Sequence, residues 1–172
     1  MAMKNILIGL GILIILIALF FCQDFAKEEQ ESVGFGNDYI EEAISDYLLT
    51  ISDFSWKTEK DSYNVCLIEN LGSKEDLFPL YIWAYCGEYI LQRGEVIMTS
   101  GFSGPVKINY PNELSFYDIN RFTYEAPRSG SFYSEDIKMI FPSNVQSKIL
   151  DVNVNIIDKK NQQKAESYYG TN

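Results

Sequence analysis

No histidine occurs anywhere in the chain. That absence removes Ser-His-Asp and Cys-His nucleophilic catalysis, and with them the usual histidine-containing zinc sites. It also removes the side chain that ordinarily switches charge near neutral pH. Basic residues are scarce as well: 14 Lys and Arg stand against 24 Asp and Glu, for a formal charge of −10. A chain of that sign is repelled by phosphate backbones and by anionic lipid surfaces, so nucleic-acid binding is excluded. The simplest role of the charge is solubility. Proline is limited to five residues, and there are three cysteines.

Aromatic residues are plentiful. They make up 15% of the chain, with 12 Tyr and 11 Phe. This content argues for a packed, strand-containing domain and against disorder. Hydrophobic content is 47%, raised by one N-terminal run. Ile6 to Cys22 (ILIGLGILIILIALFFC) spans 17 residues without a charged or strongly polar side chain. A membrane-spanning helix needs about 17–25 such residues, and the apolar core of a signal peptide about 7–15. No small-x-small cleavage site follows, because Ala18 precedes Leu19, Phe20 and Phe21. The same bulky pair breaks a lipobox ahead of Cys22. The run is therefore expected to stay as a transmembrane helix or signal anchor. Nothing downstream offers it an equally apolar partner, which counts against a buried helix of a soluble protein.

Lys4 lies before the run, and Asp24, Glu28, Glu29 and Glu31 lie after it, with Lys27 alone among them. That bias predicts a cytoplasmic N-terminus and a domain outside the cell membrane, secreted if the segment is cleaved. The expected layout is a span at 1–22, an acidic linker at 23–37, an exported domain at 38–160 and a polar tail, frayed, at 161–172. The exported part has the size of one domain and can bury its own core.

Asp38 is a good N-cap with Glu41 three residues on, the spacing of a capping box. Ile40, Ala43, Ile44, Tyr47, Leu48 and Ile51 then form one apolar stripe, with Glu41, Glu42, Ser45 and Asp46 facing away. This predicts a helix that covers a sheet. Ser62 to Glu69 and Phe78 to Leu91 read as strands. Gln92 to Glu95 reads as a hairpin turn around Gly94. Val96 to Thr99 and Pro105 to Tyr110 read as returning strands, with a bulge or bend at Gly101 and Gly104. Arg121 to Glu125 is a further short strand. Short helices are expected from Ser134 to Phe141 and from Pro142 to Leu150. Asp151 to Ile157 fits either a strand or a helix, and helix is preferred. The fold class expected is α+β: an N-terminal transmembrane helix, then one helix packed on an antiparallel meander, with short C-terminal helices.

Cys66 and Cys86 fall on strands joined by one loop and would lie outside the cytoplasm. A disulfide between them would cross-link neighbouring strands. Two buried thiols acting as small hydrophobes are the alternative. Along the longest strand Tyr81, Trp83, Tyr85 and Tyr89 alternate onto one face. They would serve either as an aromatic platform for an envelope protein, peptide or glycan, or, as such stripes more often do, as a face packed under a helix. Glu88, Glu95, Glu113 and Glu125 are the carboxylates nearest the sheet. Glycoside hydrolysis would need two of them about 5–10 Å apart. The run Ser100 to Pro105 lacks the final glycine of a nucleophile elbow, and Asp151 to Asn155 lacks the glycine and glutamate of a calcium loop. No catalytic residue, metal site or cofactor is therefore expected.

The segments LFPLYIWAYCGEY, SGFSGPVKINYP and SEDIKMIFP, behind a single-span N-terminus, resemble small uncharacterised membrane-anchored bacterial proteins. The resemblance covers most of the exported domain and implies no activity. The helix-then-meander order also resembles cystatin-type and nuclear-transport-factor-type α+β rolls, folds that host both binders and enzymes. The expected function is a membrane-anchored extracytoplasmic domain for binding or envelope assembly. The alternative is an exported hydrolase that uses paired carboxylates.

Overall fold

The computed structural model describes residues 38–72, 78–111 and 117–171. The apolar run at 6–22, the linker at 23–37 and Glu113 lie outside the described residues. Among the described residues no helix is long and apolar enough to cross a membrane.

Helix α1, Asp38–Leu49, follows the predicted stripe. Ile40, Ile44, Tyr47 and Leu48 are buried. The helix stops where Thr50 turns back, its hydroxyl donating to the Tyr47 carbonyl at 2.7 Å. Four strands follow: β1 Tyr63–Asn70, β2 Leu80–Gln92, β3 Glu95–Asn109 and β4 Thr123–Glu125. They form one antiparallel sheet in the order β1-β2-β3-β4. Strand order equals chain order, so the sheet is the meander that the sequence predicts.

The β2–β3 hairpin turns on Arg93 and Gly94, with φ of 54° and 86°. Positive φ at both central residues of a two-residue loop is the turn whose twist matches the flanking strands. Glycine takes that conformation without steric cost, and Arg93 accepts a modest one. The expected interruption at Gly101 and Gly104 is absent: β3 runs unbroken from Glu95 to Asn109. The irregularity lies instead where the register slips between Glu88 and Tyr89. One extra β3 residue, Thr99, sits there between the partners of Glu88 and Tyr89. Composition pointed at glycines, but pairing of two long strands carried them straight through.

After β4 come α2 (Tyr133–Ile140), α3 (Ser143–Asp151) and α4 (Val154–Tyr169). The break between α3 and α4 is confined to Val152 and Asn153. Residues 161–169, expected in a frayed polar tail, are instead the second half of α4. They are held because Asn161 and Ala165 are buried. Tyr169 also donates to the Tyr89 and Asp61 carbonyls, both at 2.8 Å. Polar composition concealed this, since a helix that docks through a few small contacts needs no broad apolar stripe.

The sheet is covered on both faces. On one, α1 packs Ile40, Ile44 and Leu48 against Ile82, Cys86 and Val106. On the other, Phe141, Val145 and Ile149 lie over Tyr81 and Trp83, while Ala165 of α4 meets Val65 and Tyr89. Strand alternation assigns even-numbered β2 residues to the first face and odd-numbered ones to the second.

Candidate functional site

The aromatic stripe is brought onto one face of β2, under the C-terminal helices. Tyr85 and Tyr89 are buried, and Tyr81 and Trp83 are half-buried. The Tyr81 ring lies 5.8 Å from the Phe141 ring. The Trp83 indole N–H donates to Ser103 Oγ at 3.2 Å. Tyr85 donates to Asp158 Oδ1 at 2.5 Å, and burial together with that carboxylate pushes its pKa well above the usual phenol range. The Tyr89 pKa is raised to about 12 by burial and by the charge of Asp158. Its hydroxyl and Asn161 Oδ1 are buried without a well-formed hydrogen bond, although the Asn161 side chain lies beside the phenol and opposes the rise. Gly87 makes room for this ring, because a Cβ there would stand 2.7 Å from Tyr89 Cε2. Tyr85 and Tyr89 are closed under the helices, while Tyr81 and Trp83 keep part of their surface exposed.

Cys66 and Cys86 are directly opposed in the β1–β2 register, and their sulfurs are bonded to each other with Cα atoms 3.9 Å apart. The bond ties the edge strand to the centre of the sheet.

The carboxylates do not converge. Glu88 is fully buried at the end of the apolar face. Thr58 donates to it through its amide at 2.8 Å and its hydroxyl at 2.5 Å, and Thr99 Oγ1 reaches Oε2 at 3.1 Å. Burial pushes the Glu88 pKa up, but hydrogen bonds from Ser62, Thr58 and Thr99 outweigh it and hold the value down at about 2. Such a group is a constitutive anion that anchors the loop after α1 to the β3 bulge. A general acid needs the opposite tuning. Glu125 is paired with Lys107 at 2.6 Å, which lowers its pKa. Glu95 lies exposed at the hairpin turn. Among the described residues no group of three or more Cys, Asp or Glu side chains is placed to hold a metal ion.

The concavity that does form lies along β1. Both α1 and α4 pack against this strand. Between them is a cleft of about 420 Å³ whose floor is Tyr63 to Cys66. Glu41, Glu42 and Asp46 line it from α1, and Lys164 lines it from α4. The outward face of α1, which the sequence marks only as polar, thus becomes a wall of a site. β1 ends the strand order, so its outer edge has no strand partner among the described residues. The direction of its backbone groups follows from one bond. Leu71 N–H donates to the Tyr81 carbonyl at 2.8 Å, in line with the β1–β2 register. Antiparallel pairs alternate between bonded and non-bonded. Residues 63, 65, 67 and 69 therefore point their N–H and C=O groups at β2, and those of Asn64, Cys66 and Ile68 point outward. No sequence signal marked this edge, because a strand's position within a sheet is decided by partners distant in the chain.

No family model, curated protein or solved structure matches this chain.

Proposed function

We propose that this chain is a membrane-anchored, extracytoplasmic, non-enzymatic domain that binds a partner of the cell envelope through the cleft beside β1. One observation carries the reading: a cleft of about 420 Å³ between α1 and α4 is floored by an end strand that has no strand partner among the described residues. Sheet edges are reactive surfaces that folded proteins usually blunt with lysine, proline or a bulge. The sequence of β1, YNVCLIEN, contains neither lysine nor proline, and its pairing with β2 is regular throughout. Anchoring is supported by the apolar run Ile6 to Cys22 and by the acidic residues after it. The hydrolase alternative finds little support, since Glu88 is unreachable from solvent and Glu125 is held by Lys107.

The experiment is purification of the full chain from its native membranes in mild detergent, with intact mass and co-purifying species recorded. The expected outcome is a full-length mass with a stoichiometric partner. Ser45→Trp, which fills the cleft from a half-buried position on α1, should release that partner without changing the circular dichroism. A partner retained by the variant, or a shortened chain with no partner, would overturn the reading.

A further inference from the structure

We infer that the outer edge of β3 is a second binding site, which takes a short, uncharged, extended segment of another protein with an aromatic side chain set opposite Gly101. The site lies across the sheet from the cleft beside β1 and does not depend on it.

Strand β4 covers β3 only at Lys107, Ile108 and Asn109. Upstream of them the outer edge of β3 has no strand partner among the described residues. The Leu71–Tyr81 bond fixes the direction of its backbone groups as well. The Tyr81 carbonyl faces β1, so odd-numbered β2 residues up to Tyr89 face β1 and even-numbered ones face β3. Ala84, Cys86 and Glu88 pair with Gly104, Phe102 and Ser100. Gly101 and Ser103 therefore point their N–H and C=O groups outward. Two further observations agree. Pro105 shares this outward set, so its missing N–H costs the β2–β3 ladder nothing. On the hairpin side of the bulge the outward carbonyl of Val96 accepts from Gln162 Nε2 at 2.9 Å. The open groups are also reachable. Gly101 and Ser103 are exposed, and in glycine that exposure belongs to the backbone itself.

The open stretch is short. The bulge at Thr99 and the missing N–H of Pro105 bound it, and both are devices that stop one sheet from joining another. A second copy fits it poorly. Antiparallel pairing of two β3 strands about Ser100 would set Arg93 of the second copy opposite Lys107, where Glu125 already lies. A single segment of about five residues spans the stretch at the rise of a strand and brings no such obstacle. From Val96 to Val106 no side chain is charged, in a chain of formal charge −10. A charge on the segment would find no counter-ion along this strand.

The aromatic position follows from a gap. Gly87 and Gly101 are paired, so two adjacent positions on the face that carries Tyr81 and Tyr85 have no side chain. Over Gly87 the space is taken by the Tyr89 ring, 2.7 Å from where a Cβ would stand. Over Gly101 the nearest side chain is Met98, whose Sδ lies 3.2 Å from a Cβ position, and Met98 is 45% exposed. The residue opposite Gly101 on an added strand points to this same face. A ring there covers the glycine and meets the exposed thioether, a contact that aromatic rings make better than small side chains do.

The test uses the full chain in mild detergent and a capped, fluorescently labelled peptide, Thr-Thr-Val-Phe-Val-Thr-Thr. Fluorescence anisotropy should show it binding about tenfold more tightly than the peptide with Ala in place of Phe. N-methylation of Phe, whose N–H faces Gly101, should weaken binding about tenfold, and N-methylation of the preceding Val, whose N–H faces away, should change it less than about twofold. Saturating peptide should slow amide hydrogen exchange at Gly101 and Ser103 and leave Tyr63–Asn70 unchanged. Ser103→Pro removes one outward N–H, as Pro105 already does, and should weaken binding about tenfold at unchanged circular dichroism.

Equal affinity for the Phe and Ala peptides would overturn the aromatic position. An equal response to the two N-methylations would overturn strand addition. Protection of Tyr63–Asn70 in place of Gly101 and Ser103 would move the peptide to the cleft, so that the inference fails and the binding reading stands. A dimer in analytical ultracentrifugation that Ser103→Pro dissociates would make a second copy the occupant and overturn the inference too. If no peptide binds while Ser45→Trp still releases a native partner, only the inference fails. If the peptide binds as expected while Ser45→Trp keeps the partner, only the reading of the cleft fails.

Discussion

On one face of the sheet Ile82, Ala84, Cys86, Val106 and Ile108 are closed by α1 with apolar side chains, and the first buried charge met along β2 is Glu88 at the far end. On the other face Tyr85 and Tyr89 bring hydroxyls under α4, which answers with Asp158 and Asn161. Apolar contact is strong in total, so the first face supplies most of the cohesion. Hydrogen bonds are directional and individually modest, so the second face fixes the position of α4 and adds less stability per group. Tyr89 Oη and Asn161 Oδ1 show the cost of that choice, because a buried polar atom without a well-formed hydrogen bond opposes folding.

Truncation is the widest way to separate the faces. We predict that Ile82→Ala, at a fully buried position beneath α1, lowers unfolding free energy by about 3 kcal/mol through lost burial and the cavity left behind. Urea denaturation measures this, and a loss under about 1 kcal/mol would show that the apolar face is not the cohesive one.

Next is Glu88→Gln. An amide cannot accept from Thr58 and Thr99 as the carboxylate does, and about 2 kcal/mol should be lost near neutral pH. The sign with pH follows from the lowered pKa. Folded Glu88 titrates at about 2 against an ordinary 4.5, so its contribution is present above about 4.5 and vanishes as pH falls toward 2. The stability gap between the wild-type chain and Glu88→Gln should accordingly shrink over that window. A gap independent of pH would mean that the carboxylate is not the anchored anion described.

Smaller effects sharpen the polar face. Tyr85→Phe removes a hydrogen bond to a partly solvated carboxylate, and about 1 kcal/mol should go with it. Tyr89→Phe deletes a hydroxyl that lies beside Asn161 without a well-formed hydrogen bond, and should be neutral within about 1 kcal/mol. A Tyr89→Phe loss larger than that of Tyr85→Phe would reverse the ranking. It would place an unrecognised partner, such as a buried water, at the Tyr89 hydroxyl.

Much of the fold was legible because it follows from local periodicity. The stripe Ile40, Ile44, Tyr47 and Leu48 marked α1, and the turn at Gly94 marked the β2–β3 hairpin. The bulge was misplaced at Gly101 and Gly104, since the slip at Glu88 and Tyr89 arises from how two long strands pair. The tail was misread because α4 is polar around most of its circumference and its second half is held by a few contacts from Asn161, Ala165 and Tyr169.

The sequence by itself determined the composition limits: no histidine chemistry, an acidic chain, an apolar N-terminal run, and the order of helix and strands. Each is set by residue identity or by spacing within one segment. Only the tertiary structure decided which strand ends the sheet, which helices cover which face, and that Glu41, Glu42 and Asp46 share a cleft with Lys164. Those facts depend on residues distant in the chain, more than a hundred positions apart for the cleft, and no local pattern encodes such meetings.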